Sequence, residues 1–360
     1  MSNAGPPQGA KAPLGGSDLH AANARGDRAR APRTKVLRRP VHGVLLLDKP
    51  LGLTSNDALQ KAKWLLRAEK AGHTGTLDPL ASGVLPLCFG AATKFSQLQL
   101  DAPKRYEATL KLGIKTRTAD AEGEVIEERP VPDITPEQLA VVAARFTGPI
   151  AQVPPMHSAL KRDGKALYEY ARAGIEVERE ARQVTIHTLD LSQATTPEGG
   201  PAVRIEVTCS KGTYIRTLGE DVGEALGCGG HLVMLRRTAT GHYDVAQAIS
   251  LAALEAMEPE RRLSALLPTE SLLADHDKVT LGTEDAARFL SGMRRRGAWP
   301  DAERVAVFGT NPTALLGAAQ VAGGELIPSR LLSPTEIQQI LQKESTPGAA
   351  VMAAGIEETL

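Results

Sequence analysis

Residues 72–86 read GHTGTLDPLASGVLP, and no other stretch constrains the fold as tightly. An Asp before Pro favours turn initiation, and Gly supplies backbone dihedrals closed to other residues. A loop must therefore interrupt the chain here, and it carries one carboxylate, Asp78, between apolar runs. On its own such a segment is a turn and nothing more. Four further blocks give it company: GVLLLDKP at 43–50, KRYE at 104–107, CSKGTYIR at 209–216 and GGHLVMLRR at 229–237.

The intervening residues place these blocks on regular elements. Residues 44–47 form a short, continuous apolar run bounded by Gly43 and Pro50, which fits a buried strand. Thr54 and Asp57 make a capping-box start, after which Ala58, Leu59, Ala62, Leu65 and Leu66 recur at helical spacing. Tyr106, Ala108, Leu110 and Leu112 alternate with polar residues, predicting a strand with Tyr106 on its apolar face. Thr135 and Pro136 open a helix to about Phe146, and Asp163-Gly164 marks a tight turn before a helix over 166–173 that stops at Gly174. Val203, Ile205, Val207 and Cys209 alternate in a strand that delivers the chain to Lys211-Gly-Thr213, and Ile215, Leu218, Val222 and Leu226 then form a helical stripe ended by Gly227. Tyr214 and Arg216 thus sit at a strand-to-helix junction. Near Val279 the pattern changes. Thr283 is expected to cap a helix reaching Met293, followed by strands over 304–308 and 314–321 with Gly-rich turns.

In that order the five blocks resemble the TruB family of tRNA pseudouridine synthases, over about 41–243. The resemblance implies an α+β fold: a pseudouridine synthase catalytic domain with a mixed, largely antiparallel sheet, plus a small C-terminal β-rich, PUA-like RNA-binding domain. The expected division is a disordered basic arm over 1–40, the catalytic domain over 41–250, a helical connector over 251–277, the PUA-like domain over 278–342 and a flexible tail over 343–360. The family's bacterial members isomerise the uridine at position 55 in the T arm of tRNA. Such a reaction breaks a C–N glycosidic bond and makes a C–C bond to the same ribose with no change of oxidation state. What it needs is a carboxylate able to attack and a pocket that holds uracil while it rotates.

Carried onto this chain, the resemblance makes Asp78 the catalytic carboxylate and Arg216 its cationic partner, since a buried carboxylate without one tends to protonate. Tyr106 is expected to stack on the uracil and to assist movement of the C5 proton, with Tyr214 and Leu235 completing the lining. His73 is expected beside the flipped nucleotide, whose extrusion costs about a few kcal/mol offset by new stacking and hydrogen bonds. Lys49 is expected to support the site, with a phosphate contact as its second option. Lys104, Arg105, Lys161, Arg162, Lys165, Lys211, Arg236 and Arg237 are expected to supply the phosphate surface. Where a tyrosine is frequent in the family, this chain has His157.

Composition bounds the rest. At 360 residues with 42% hydrophobic content, the chain suits one large domain plus a small one. Three cysteines without a Cys-x-x-Cys pair argue against a disulfide framework or a zinc site. No apolar run is long enough to cross a bilayer, the start lacks the hydrophobic centre of a secretion signal, and a cytoplasmic enzyme without membrane contact is expected. Neither a dinucleotide fingerprint nor a phosphate loop is present, so no cofactor and no metal are expected. Formal net charge is zero, so any RNA surface must be a local basic face. The arm over 1–40 holds eight Lys and Arg against two Asp and too little apolar surface to fold. The expected partner is tRNA through its T-arm stem-loop, bound by a monomer without guide RNA. The rival reading is an RNA chaperone or assembly factor on the same fold without essential catalysis, against which the intact Asp78, Tyr106 and Arg216 set argues. A metal-dependent hydrolase built on His73, Asp78 and His231 fails on ligand spacing.

Overall fold

The structure, a computed structural model, describes residues 37–344, so the expected arm and tail lie outside the described residues except for 37–40 and 343–344. Strands β1 (Gly43–Lys49), β2 (Ala71–His73), β3 (Ala81–Phe89), β4 (Lys104–Leu112), β5 (Gly148–Gln152), β6 (Arg182–Thr195), β7 (Pro201–Cys209), β8 (Gly230–Thr240) and β9 (Ile249–Ser250) join the short strand Tyr243–Asp244 in a 10-stranded sheet. Its order is β9-β1-β3-β8-β4-β7-β6-β5, with β2 added to β3 off this path. Only β1 with β9 and β3 with β8 pair in parallel; the other neighbours are antiparallel. The sheet is mixed and largely antiparallel, as expected.

One detail of register creates the site. β3 pairs with β1 over 83–89, but its other edge is divided. Leu235, Arg236 and Arg237 of β8 face Ala81, Ser82 and Gly83, whereas Ala71, Gly72 and His73 of β2 face Phe89, Cys88 and Leu87. The loop with Asp78 connects β2 to β3 between these two contacts.

Helices α1 (Ser55–Leu65), α2 (Pro136–Phe146), α3 (Leu167–Arg172), α4 (Ile215–Ala225) and α5 (Leu251–Ala256) accompany the sheet. The start of α1 follows from its cap: Thr54 Oγ1 accepts from the Asp57 amide at 3.1 Å, and Ala58, Leu59, Ala62 and Leu65 form its buried stripe. Gly227 at φ +86° follows α4, a conformation that ends a helix cheaply only with glycine. The expected helical connector is helical only over α5. Beyond it the chain makes two short 3-10 turns, Arg262–Ala265 and Thr269–Leu273, and Leu267 hydrogen-bonds both ways with Val44.

The C-terminal part is the expected β-rich unit: β10 (Asp277–Leu281), β11 (Arg295–Arg296), β12 (Ala302–Thr310), β13 (Thr313–Ala322) and β14 (Glu325–Leu331) in the order β10-β12-β13-β14-β11, with helices α6 (Thr283–Leu290) and α7 (Pro334–Glu344). Two expectations for α6 need correction. Gly282, not Thr283, is the N-cap residue, and the helix ends at Leu290 because Gly292 takes φ +85°.

The apolar run of β1 is buried on both faces, and the two faces serve different cores. Leu45 and Leu47 pack with Ala58, Leu110, Ile205 and Leu218. Val44 and Leu46 pack with Val84, Cys88 and Phe95, with Ala306, Leu315 and Ala318 of the C-terminal strands, and with Leu332 just beyond β14. At about 1.5–3 kcal/mol for each fully buried large aliphatic side chain, this shared cluster is a substantial part of what holds the two parts together.

Candidate active site

The backbone on either side of Asp78 is held by its neighbours. Ser55, the first residue of α1, donates its hydroxyl to Leu77 O at 3.1 Å and accepts from Leu77 N at 2.7 Å, fastening the loop on one side of Asp78. On the other side Gly52 N donates to Pro79 O at 2.9 Å, and Ala81 N donates to Asp78 O at 3.0 Å. Gly75, at φ +103°, lets the chain turn between β2 and this anchor.

Arg216, in the first turn of α4, reaches the carboxylate: its Nη2 lies 2.8 Å from Asp78 Oδ2. The guanidinium is almost wholly enclosed, at 5% side-chain exposure, while Asp78 retains 42%. The pair therefore presents a solvent-accessible carboxylate on a buried cation. Arg216 is itself fixed by three more acceptors. Nη1 donates to Thr118 O at 3.1 Å and lies 3.4 Å from Asp120 Oδ2, and Nη2 donates to His157 O at 2.8 Å. Two carboxylates and two carbonyls thus lock the planar fork, which a point-charge ammonium could not serve together. Burial, with Arg216 second, holds the His157 imidazole below its usual range.

Asp120 is a site residue that the sequence does not single out. It lies in the turn after Ile114–Thr116, where Ala119 adopts φ +57° and Thr116 Oγ1 donates to Asp120 O at 2.7 Å. The only local signal is a Thr-x-Asp turn, which says nothing about a partner about a hundred residues away.

Of the remaining expected residues, Tyr106, Tyr214 and Lys49 stand within electrostatic reach of the Asp78 carboxylate. Tyr106, on β4, is half-buried against the main core. Burial pushes its phenol above the usual value, the Arg237 guanidinium opposes this, and Asp78 is close enough to contribute. Tyr214 precedes α4, its amide donating to Gln152 Oε1 at 3.0 Å, and it also feels Asp78 and Arg216. Burial raises its phenol as well. Leu235, 6% exposed, faces Ala81 across the parallel β8–β3 contact. His73 ends β2 with its Nδ1 buried and unpartnered, and burial, then Arg237, lowers its proton affinity.

Lys49 is fully buried, donating to Pro50 O at 2.8 Å and Leu53 O at 2.6 Å, so it braces the turn over 50–53 and its optional phosphate contact falls away. Burial lowers its ammonium from 10.5 to about 8, with Asp78 opposing the shift.

The expected phosphate surface needs larger corrections. Lys104 is buried and donates to Leu100 O and Ala102 O, and burial lowers it to about 8. Arg237 is 1% exposed and does not lie on a surface. Three others are engaged in ion pairs: Arg105 with Asp244 at 2.7 Å, Lys211 with Asp101 at 2.5 Å and Arg236 with Asp48 at 2.8 Å. Lys161 and Arg162 are exposed, and Lys165 lies over the Tyr170 ring.

The family model described as TruB family pseudouridylate synthase (N terminal domain) matches residues 63–215, and that of the tRNA pseudouridylate synthase B C-terminal domain matches residues 216–274. A protein of Verminephrobacter eiseniae named tRNA pseudouridine synthase B is 64% identical over 87% of this chain and 96% of its own length. One of Ralstonia nicotianae with the same name is 59% identical over 83% of this chain and 97% of its own. Among solved structures, a chain of a Cbf5-Nop10-Gar1 complex superposes with a TM-score of 0.61 at 26% identity, covering 82% of this chain and 86% of that one.

Proposed function

The chain belongs to the TruB family of pseudouridylate synthases, and from this we infer that it converts a uridine of tRNA to pseudouridine. The target we propose is position 55 in the T arm, with Asp78 as the catalytic carboxylate, Arg216 as the cation that orients it, and Tyr106, Tyr214, Leu235 and His73 as the walls receiving the extruded nucleotide. The observation that carries this reading is the accessible Asp78 carboxylate held at 2.8 Å by an enclosed guanidinium. A carboxylate so placed can attack, and its charge need not be generated during the reaction.

The reaction moves a base from its N1 to its C5 on one ribose, so it calls for positioning and electrostatics rather than an external oxidant or reductant. Lys49 would steady the turn over 50–53, whose Gly52 amide donates to Pro79 O beside Asp78. Asp120 would keep Arg216 from turning away from Asp78. The relatives at 64% and 59% identity bear the name of tRNA enzymes, which favours a protein that selects tRNA without guide RNA. We propose that it works as a monomer in the cytoplasm, with the C-terminal strands as a PUA-like RNA-binding unit; no described helix is long and apolar enough to cross a membrane.

The test is tritium release from C5-labelled uridine in an unmodified tRNA transcript, with purified protein and a chelator. Release from the ordinary transcript and none from one with cytidine at position 55 supports the assignment. Equal release from both overturns the position, and no release from either overturns the enzyme.

A further inference from the structure

We propose that Arg237 is a positioning residue for Tyr106, holding the phenol at the reacting base; this rests on reading the pocket as a uridine isomerase. Arg237 is the bulkiest of the fully enclosed side chains, yet among the described residues it has no carboxylate within ion-pair distance. A guanidinium buried without an anion is retained only where its donors are used. Its placement is over-determined. It stands directly opposite Tyr106 across the antiparallel β8–β4 pair, and its Nε donates to Val84 O at 2.8 Å, in the stretch of β3 where neither β8 nor β2 pairs. Gly83 lets the strands approach there: an added Cβ would come within 2.1 Å of Arg237 O. A Cβ on Gly75 would lie 3.6 Å from Nη1, which places the guanidinium under the loop leading to Asp78. Its Nη2 is buried and has no acceptor.

Arginine has only donors, so the phenol oxygen is the one polar group of Tyr106 that this guanidinium can serve. The other titratable groups facing the phenol are Cys209 from β7 and Asp78 from the loop. Cys209 is buried, with its thiol pushed up to about 11, and it contributes no charge at neutral pH. Arg237 is thus the cation set against the phenol, as Arg216 is the cation set against the carboxylate. A purely structural Arg237 would brace Val84 and the strand junction without regard to what residue 106 is.

The experiment is a double-mutant cycle on single-turnover tritium release, with tRNA affinity measured alongside. Arg237→Gln should lower the rate constant about a hundredfold in the parent, and by no more than about threefold in a Tyr106→Phe background. Arg237→Lys, which keeps the charge and folds under milder strain, should fall between them, with tRNA affinity unchanged throughout. Independently of turnover, 3-fluorotyrosine at position 106 followed by fluorine NMR should titrate at higher pH in Arg237→Gln or Arg237→Lys than in the parent. Equal losses in the parent and Tyr106→Phe backgrounds, or an unmoved fluorotyrosine midpoint, overturn the proposal. Asp78→Asn in the same series separates the two levels. If it stays active, the reading of the pocket fails; if it is dead while the Arg237 and Tyr106 effects simply add, only the positioning role fails.

Discussion

Removing the charge of Arg216 should cost stability in a way that depends on Asp120. Their charged atoms are 3.4 Å apart with both side chains enclosed, at 5% and 6% exposure. At an effective dielectric of about 20, the gross attraction is about 5 kcal/mol, most of which offsets the desolvation of the two ions. Arg216→Met leaves Asp120 buried and unpaired, so it should destabilise by about 3–5 kcal/mol. Asp120→Asn keeps the acceptor that serves Thr118 Oγ1 and the Glu122 amide and leaves Arg216 with Asp78, so its cost should be about 1–2 kcal/mol. With both changes no buried carboxylate is stranded, and the double variant should be more stable than the sum of the singles by at least about 1.5 kcal/mol. Urea unfolding followed by circular dichroism at pH 7.5 measures all three. Strict additivity would refute the coupling and would mean that Arg216 and Asp120 are neighbours without energetic consequence.

Other consequences follow from the same geometry. Burial lowers Lys49 from 10.5 to about 8, so between these values the unfolded chain binds more protons than the folded one and stability rises with pH; the gain in urea midpoint from pH 7.5 to 9.5 should be larger in the parent than in Lys49→Met, and equal gains would contradict this. Gly83→Ala places a Cβ 2.1 Å from Arg237 O at a φ of +105°, and a thermal melt should show a loss beyond about 3 kcal/mol or no folded protein at all. Truncation after Lys278 strips Ala306, Leu315, Ala318 and Leu332 from Val44, Leu46 and Val84, so the remainder should aggregate or melt early rather than persist as a free catalytic unit; a truncated protein with the parent's melting temperature would show that the shared cluster is not needed.

Much of the fold is legible in the sequence because its strands alternate cleanly and its helices carry caps. Thr54 with Asp57, and Thr135 with Pro136, mark helix starts that the structure reproduces. The continuous apolar run at 44–47 already says that both faces of β1 are covered. It cannot say that the second cover comes from Leu315 and Ala318, because no local pattern encodes a contact so distant in sequence. Adjacent in sequence, Arg236 and Arg237 look like one basic surface. On a strand, successive side chains point to opposite faces, so one of the two has to turn inward once β8 becomes a central strand. Asp120 stays hidden for a different reason: its role depends on how the turn after 114–116 docks on α4, which is a matter of tertiary packing. The pairing of Asp78 with Arg216 is expected from family resemblance alone, and spacing would not supply it.

The central claim is that Asp78 performs the chemistry. Asp78→Asn keeps the side chain's size and much of its hydrogen bonding while removing the charge that Arg216 holds at 2.8 Å. Single-turnover tritium release from C5-labelled tRNA, with tRNA affinity measured in parallel, should show no detectable pseudouridine and near-unchanged binding. Pseudouridine formed at a rate within about tenfold of the parent, a barrier difference of only about 1.4 kcal/mol, would contradict it.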